Sequence, residues 1–251
     1  MSFDKEWLDL REPSDTRARS PRIREFVASW LNQQPRATIT DIGAGTGSTF
    51  RYLDSHLHTK VEWTFVDYNE TTLRDAAYSC GATPVLQDLA QGFPSFGDLV
   101  TASAFFDLVS VEWIEKFVDA LDGRALYATL TVDGVDQITP LDEDDAWVAE
   151  CFRRHQTETD KGFGTAAGPD AHQLLCNSLR ARGYRVDEAS SPWHLRGERS
   201  LIHALLTGMA ERATESDPVR AKQWLERRIG SPLTVTVGHR DLFAVPGGSR
   251  S

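Results

Sequence analysis

The stretch that decides the fold is Thr38-Ile39-Thr40-Asp41-Ile42-Gly43-Ala44-Gly45-Thr46-Gly47. Its first half is rich in β-branched residues, which favour a buried strand. Three glycines then alternate with small residues, and a helical pattern begins near Ser48. Glycine lets a backbone turn tightly with positive φ and lie directly against a ligand. The stretch therefore predicts a strand, a tight turn and a helix, with a ligand packed on the turn.

Outward from this stretch, strand-like runs alternate with helical patterns. This alternation predicts a parallel sheet with helices on both faces. The first 35 residues are polar and helix-prone, and Pro13 and Pro21 are expected to break the helices there. The predicted strands cover residues 38–42, 61–66, 83–86, 98–102, 125–131, 184–189 and 233–245.

Composition disfavours several classes of protein. The 251 residues fit one α/β domain, and a net charge of -10 disfavours a nucleic-acid partner. No apolar run is long enough to cross a membrane, and the charged start does not resemble a signal peptide, so a cytoplasmic location is expected. The three cysteines, Cys80, Cys151 and Cys176, are odd in number and widely spaced. They predict neither a disulfide framework nor a metal site.

Two acidic residues follow the next predicted strands and indicate a nucleoside ligand. Asp67 ends the second strand, about twenty residues after the glycines, where a carboxylate can accept both ribose hydroxyls. Asp88 follows the third strand and can accept a hydrogen bond from an adenine amine. The GxGxG spacing differs from the GxGxxG of dinucleotide sites, which favours S-adenosylmethionine (SAM) over NAD. The alternative is a ligand-free turn in which Asp67 and Asp88 cap helices.

In order and spacing, these three motifs resemble those of class I SAM-dependent methyltransferases over about residues 38–130. The resemblance implies a three-layer Rossmann-like α/β fold with a seven-stranded, mostly parallel sheet and an antiparallel last strand. It implies a single domain over 1–251, with a helical N-terminal lid (1–35), a SAM-binding half (36–132) and a substrate-side insertion that completes the sheet (133–251). It also implies S-adenosyl-L-homocysteine as product. The residues expected to bind the cofactor are Asp41, Gly43, Ala44, Gly45, Gly47, Asp67, Asp88 and Thr101.

The acceptor is expected at the carboxyl ends of the strands, near the loops after the fourth and fifth. The fourth strand lacks the Asn- or Asp-Pro-Pro-aromatic motif of many enzymes that methylate bases, which disfavours such an acceptor. Residues 101–110, together with the Trp-Leu-x-Leu-Arg-Glu-Pro stretch at residues 7–13, resemble an uncharacterised bacterial group of small-molecule methyltransferases. A small metabolite is therefore the expected acceptor. The predicted substrate residues are Ser103, Phe106, His155, Asp160, Lys161 and Phe163.

His155 is also the predicted general base, because an ordinary histidine pKa of about 6.5 suits proton removal near neutral pH. A base is dispensable if the acceptor is already nucleophilic. The segment His239-Arg240-Asp241 is interpreted as a cluster at a sheet edge, which reaches the site only if a bulge turns it inward. Trp113 and Trp193 are candidates for stacking on a flat substrate.

Two other functions remain open from the sequence. One is a non-catalytic SAM-binding regulator or scaffold, because no motif proves an acceptor pocket. The other is an NAD-dependent oxidoreductase, which only the glycine loop and Asp67 suggest.

Overall fold

A computed structural model describes residues 5–158, 160 and 162–248. Its centre is one sheet in the strand order β3-β2-β1-β4-β5-β8-β6, with β7 also paired to β8. The strands are β1 (Arg36–Ile42), β2 (Lys60–Asp67), β3 (Thr83–Leu86), β4 (Leu99–Ser103), β5 (Ala125–Thr139), β6 (Tyr184–Ser190), β7 (Trp193–Leu195) and β8 (Thr234–Pro246).

Strand direction confirms the mostly parallel sheet with an antiparallel last strand. The strands β1 to β5 are parallel to one another, whereas β8 runs antiparallel to both of its neighbours, β5 and β6. The sequence predicted seven strands. The three-residue strand β7 is an eighth, and it continues the line of β6 along β8.

Helices cover both faces of the sheet and give the three layers. One buried cluster unites α5 and α7 with the sheet, and a second unites α2, α3 and α4 with the opposite face. The helices are α1 (Lys5–Ala18), α2 (Pro21–Asn32), α3 (Ser48–Leu53), α4 (Glu70–Cys80), α5 (Val111–Leu121), α6 (Asp145–Glu158), α7 (Ala171–Ala181), α8 (Arg199–Ala213) and α9 (Pro218–Ile229). Within the described residues, none of these helices is long and apolar enough to cross a membrane.

The predicted break at Pro13 is wrong, because α1 runs through it. A proline removes one helical hydrogen bond, and contacts on either side of Pro13 hold α1 together. Arg11 Nε donates to Asp15 at 2.8 Å, and Trp193 Nε1 donates to the same carboxylate at 2.9 Å. Pro21 acts as predicted, since it opens α2 behind the capping side chain of Ser20.

The second half of β5 is the main departure from the sequence prediction, which ended this strand at Thr131. Residues 131–139 pair with residues 234–240 of β8, with register shifts before Thr131 and before Asp136. We call these paired segments the ribbon. Helices α6, α8 and α9, here called the cap, pack on the ribbon and β7 around a third buried cluster. The cap thus stands beyond the carboxyl ends of the parallel strands.

Candidate functional site

A cavity of about 420 Å³ lies where β1, β2 and β4 end. We call it the glycine-loop cavity. The predicted residues Gly43, Gly45, Asp67 and Asp88 all line it. Other lining residues come from α1, from the β4 end and from the loop before α7, namely Leu8, Arg11, Asp15, Ser103, Ala104, Phe105, Leu108, Gly162 and Phe163.

The loop conformation requires glycine at the predicted positions. Gly43 and Gly45 have φ of +61° and +51°, a region that side chains with a Cβ rarely adopt. A Cβ on Gly43 would lie 2.7 Å from the Phe105 ring, and one on Gly45 would lie 3.4 Å from Leu8. The loop therefore offers bare backbone to whatever occupies the cavity.

Two carboxylates are fixed around this loop. Asp67 is only 9% exposed, and its two oxygens accept hydrogen bonds from the backbone N–H groups of Gly45 at 3.0 Å and Asn69 at 2.9 Å. Asp88 is exposed, and its carboxylate accepts from the N–H of Ala90 at 2.9 Å. Carboxylates held in this way present acceptors to hydroxyl or amino groups.

Asp41 lies fully buried behind the glycine loop. Its Oδ1 accepts a 2.6 Å hydrogen bond from Thr101 Oγ1, and its Oδ2 has no partner among the described residues. Burial raises the pKa of Asp41 to about 7, against the opposing effects of Thr101 and the Arg19 charge. Asp41, Thr101, Ala44 and Gly47 are not among the described residues that line the cavity, so their cofactor contacts stay predictions.

Arg19 has a position in the site that was not predicted from the sequence. It is only 1% exposed, and its Nη2 donates to Ser48 Oγ at 3.0 Å and Ser103 Oγ at 2.9 Å. Both serines line the glycine-loop cavity, and Arg19 Nε has no partner among the described residues. A buried positive charge therefore stands directly behind the cavity wall. The sequence feature that could have identified Arg19 is its position between two helices, just before Ser20-Pro21.

A second cavity of about 330 Å³, here called the cap cavity, lies between the ribbon, α6 and α8. Arg11, Ala104 and Leu108 line both cavities, so the two adjoin. The predicted base His155 lines the cap cavity and is half-buried. The remaining wall is largely apolar and includes Trp7, Leu130, Val132, Ile138, Phe152, Trp193, Leu205, Met209, Val235 and Val237.

His239 also lines the cap cavity, so the sheet-edge interpretation is wrong. The strand β8 lies between β5 and the line of β6 and β7, and the β5–β8 pairing carries bulges nearby. His239 is 2% exposed, and its Nδ1 has no hydrogen-bond partner among the described residues. Burial lowers the pKa of His239 to about 3, and the Arg11 charge lowers it further, whereas a hydrogen bond to the Val237 backbone acts in the opposite direction. The ring is therefore neutral at ordinary pH.

Asp241 belongs to the structure of the sheet rather than to either cavity wall. It is fully buried and accepts hydrogen bonds from Ser20 N at 2.7 Å, Leu130 N at 2.9 Å and Ser191 Oγ at 2.6 Å. It thereby joins the start of α2, β5 and the β6–β7 link to β8.

Helix α1 covers the glycine loop and contributes to both cavities. Arg51 of α3 donates to Glu12 at 2.6 Å and to the Thr46 carbonyl at 2.6 Å, which ties α1 to the loop. The guanidinium carbon of Arg11 lies 5.0 Å from the centre of the Trp193 ring. This arrangement suits the predicted lid, whose movement stays a prediction.

The other predicted substrate residues are dispersed. Ser103 and Phe163 line the glycine-loop cavity instead of the cap cavity. Phe106 is 1% exposed within the core, and Asp160 is exposed in a turn where it accepts from two backbone N–H groups. Lys161 lies outside the described residues. Of the two candidate stacking residues, Trp193 lines the cap cavity, and Trp113 is packed in the core with its Nε1 on the Leu89 carbonyl.

One group of possible metal ligands occurs among the described residues, although the sequence predicted none. His172, Cys176 and Glu188 place one ligand atom each within 4.8 Å of one another. Glu188 already accepts from His172 at 2.8 Å and pairs with Arg180. A carboxylate held by an arginine is poorly placed to bind a cation, so we interpret the group as a hydrogen-bond network.

The fold resembles that of solved methyltransferase structures. A protein of Bacillus halodurans described as a candidate methyltransferase matches with a TM-score of 0.54 and 13% identity, over 89% of this chain and 98% of that one. The YcgJ protein of Bacillus subtilis matches with a TM-score of 0.53 and 12% identity, over 92% and 100%. A SAM-dependent methyltransferase of Geobacter sulfurreducens in complex with S-adenosyl-L-homocysteine has a TM-score of 0.48 and 12% identity, over 94% and 98%.

No protein-family model matches the chain, and no curated protein matches its sequence. The likeness therefore concerns the fold alone. The chain has the Rossmann-like fold of class I methyltransferases, as the sequence resemblance implied.

Proposed function

We propose that this protein is a SAM-dependent methyltransferase that acts on a small molecule. The observation that carries the proposal is that Arg11, Ala104 and Leu108 line both the glycine-loop cavity and the cap cavity, so that the two cavities adjoin. A methyltransferase needs adjoining places for donor and acceptor, because the methyl group passes between them in line.

The residues around the glycine-loop cavity fit SAM. Asp67 would accept the ribose hydroxyls and Asp88 the adenine amine, while the loop backbone approaches the methionyl part. Arg19, behind Ser48 and Ser103, would compensate the carboxylate, and the buried Asp41 would favour the ammonium group. When bound, SAM supplies an electrophilic methyl group on a cationic sulfur.

The chain's own contribution is alignment and exclusion of water. Leu8, Arg11 and Asp15 of α1 line the glycine-loop cavity, and residues of α6 and α8 line the cap cavity. Nucleic-acid acceptors stay disfavoured by the net charge of -10. The cytoplasmic location stays a prediction.

Isothermal titration calorimetry with SAM and with S-adenosyl-L-homocysteine tests the donor site, with NADH as the comparison ligand. We expect saturable binding of both SAM ligands and none of NADH. Absence of binding of both SAM ligands at millimolar concentration would reject the proposal. Tight binding of NADH alone would reject it in favour of the oxidoreductase.

The cap cavity distinguishes the proposed methyltransferase from the alternative, a non-catalytic SAM-binding regulator. A non-catalytic SAM-binding protein has no need for an open space beside its donor site, whereas a cavity of about 330 Å³ adjoins the proposed donor cavity here. Incubation with SAM and a panel of small apolar compounds, followed by mass spectrometry, should reveal a product heavier by one methylene. SAM binding with no transfer to any compound would favour the regulator.

A further inference from the structure

Asp136 is a charged residue of the cap cavity for which the proposed function gives no role. Resting on that function, we propose that the methyl acceptor is a compound with an apolar body and one positively charged amino group, and that Asp136 binds this group. The donor site and the acceptor class are separate claims and fail separately.

Strand pairing directs the Asp136 side chain toward the cap. Asp136 lies directly opposite Val237 of β8, and Val237 lies opposite Trp193 of β7. Residues directly opposite each other on neighbouring strands have their side chains on one face of the sheet. Trp193 belongs to the third buried cluster and Val237 packs against it, and all three residues line the cap cavity. One wall of this cavity therefore presents a carboxylate, a valine and an indole ring in a single row.

The Asp136 carboxylate is accessible to a ligand and has no partner in the protein. Asp136 is exposed, and within the part of the chain that the structure describes its carboxylate forms neither a hydrogen bond nor an ion pair. The surrounding protein still withdraws it from bulk water. Burial raises the pKa of Asp136 to about 6, with a further contribution from the Asp133 charge and an opposing one from Arg153. Arg153 is itself paired with Glu150, so the ionised Asp136 keeps an uncompensated charge at neutral pH.

The other charges of the cap cavity make a cation the complementary ligand. Among the described lining residues, two carry guanidinium groups, and each has a carboxylate beside it. Arg11 donates to Asp15 at 2.8 and 3.1 Å, and Arg212 Nη1 lies 4.0 Å from Glu215 Oε1. Asp136 has no such partner and gains most from a ligand of opposite charge, because charge-assisted hydrogen bonds are the strong ones.

The apolar body follows from the rest of the wall. Rings from Trp7, Phe152 and Trp193, together with aliphatic side chains from the ribbon and α8, form most of it. Cavities of this size and lining bury compact apolar ligands and orient them with a few polar groups. A second charge on the ligand would lose its hydration among these side chains without recovering it. A single amino group on an apolar body is therefore the class that fits.

The protonated amino group serves as an anchor. An ammonium nitrogen has no lone pair with which to attack a methyl group. While Asp136 holds it, the methyl group must pass to another atom of the same compound. Asp136 thus determines which acceptor binds and takes no part in the transfer.

Arg212 defines the main competing acceptor class. Its partner Glu215 is 4.0 Å away and largely exposed, so a ligand carboxylate can replace it. An acidic acceptor would then be anchored on α8 instead of on the ribbon. The two classes differ in the charge of the probe that binds and in the side chain that matters.

The test uses the full chain saturated with S-adenosyl-L-homocysteine and three probes, tryptamine, tryptophol and indole-3-propionate. They share an indole ring on a two-carbon arm that ends in an ammonium, a hydroxyl and a carboxylate, respectively. Calorimetry at pH 7.5 should give tryptamine an affinity about tenfold above that of tryptophol, as one hydrogen bond to a charged group provides. The near-isosteric variant Asp136→Asn should remove this preference and leave the affinity for tryptophol unchanged.

The matched control is Asp75→Asn, which removes the same charge from an exposed position on α4 that lines neither cavity. This variant should retain the preference for tryptamine. If Asp136→Asn does not fold, the comparison of the three probes on the unaltered protein decides.

Equal affinity for tryptamine and tryptophol, absence of binding of all three probes at millimolar concentration, or a preference for tryptamine that survives in Asp136→Asn would each overturn the proposal. Tightest binding of indole-3-propionate, lost in Arg212→Gln, would overturn it in favour of an acidic acceptor. Failure of S-adenosyl-L-homocysteine to bind would instead refute the methyltransferase function, and the preference of the cap cavity for an ammonium group is measurable without that ligand.

Discussion

Arg19 shows how a residue that reads as a solvated surface charge in the sequence can be a buried charge in the fold. In the sequence it belongs to a basic cluster with Arg17, Arg22 and Arg24, a pattern typical of a solvated helix face. In the fold it is 1% exposed and bonded to two serines of the glycine-loop cavity. Arg19 itself lies in the turn between α1 and α2, close in the sequence to the exposed Arg17 and Arg22.

Arg19→Gln is expected to weaken SAM binding about tenfold or more, because a hydrogen bond to a charged group contributes about 1.5–3 kcal/mol. Calorimetry with SAM and with methylthioadenosine, which lacks the amino-acid part, isolates the effect. Methylthioadenosine should bind the variant as it binds the unaltered protein. An equal loss for both ligands would mean that Arg19 only supports the loop, and the exposed Arg17→Gln serves as control.

Asp41 should make SAM binding depend on pH. Its pKa of about 7 means that the carboxyl is protonated in the free protein below neutrality, and a bound cation favours its ionised form. Affinity should therefore rise between about pH 5.5 and pH 7, with up to one proton released on binding. Calorimetry in buffers of different ionisation enthalpy counts that proton. The variant Asp41→Asn should flatten the profile, and an unchanged slope would contradict this role.

Gly45→Val should abolish SAM binding while the sheet stays folded. The new side chain would require φ near +51° and would fill the space between the loop and Leu8. Gly197→Val is the control, since Gly197 has open space around it. Calorimetry with circular dichroism checks both, and retained affinity in Gly45→Val would show that the cofactor does not contact this loop.

At the scale of elements, α1 is held on the site by contacts of different strength. Arg51 joins Glu12 to the Thr46 carbonyl at a partly exposed position, whereas Asp15 and Trp193 meet in a buried one. Exposed ion pairs contribute about 0–1 kcal/mol to stability. We therefore expect the N-terminal part of α1 to be the part that can lift while the rest of the protein stays folded.

Arg51→Ala is expected to speed SAM dissociation several-fold and to leave thermal unfolding nearly unchanged. Loss of its two contacts frees α1 from the loop but removes little buried surface. Stopped-flow dissociation and limited proteolysis of α1 measure the effect. Lys5→Ala, which breaks an exposed pair within α1, is the control. An unaltered dissociation rate would mean that α1 does not limit cofactor release.

The elements that the sequence predicted are those set by local chemistry. Strands β1 to β4 follow from β-branched runs, and the cavity residues Gly43, Gly45, Asp67 and Asp88 follow from the strand ends. The extension of β5 was not predictable in this way. Asp133 and Gly134 are typical of a turn, and only pairing with the distant β8 makes the segment a strand.

The cap cavity depends on the same distant pairing, and the site could be predicted only in part for this reason. His155 was identified as a polar residue on the insertion, but His239 was assigned to an edge because neighbours of a strand are not encoded locally. Phe106 was predicted to contact the substrate because it follows β4. In the fold it is instead buried in the cluster between the sheet and helices α5 and α7.

For the whole molecule, His239 should contribute to acid unfolding. Its pKa is about 3 in the folded state and about 6.5 when unfolded, so its contribution to stability is present above pH 6.5 and is lost as the pH falls through 3. Circular dichroism against pH should show His239→Leu unfolding at lower pH than its matched control His194→Leu, an exposed histidine. Coincident acid transitions would contradict this contribution.

The place of β8 in the sheet has a consequence for the order of assembly. It is synthesised after every other described element, yet it lies between β5 and β6 and carries His239 and Asp241. Pairing over such separations is slow, because the intervening chain must close a long loop first. We therefore expect that a nascent chain ending before residue 234 can pair β1 to β5 and form the glycine loop. It still lacks β8, which provides part of the wall of the cap cavity. Under the proposed function, the site for the methyl donor is therefore formed before the site for the acceptor.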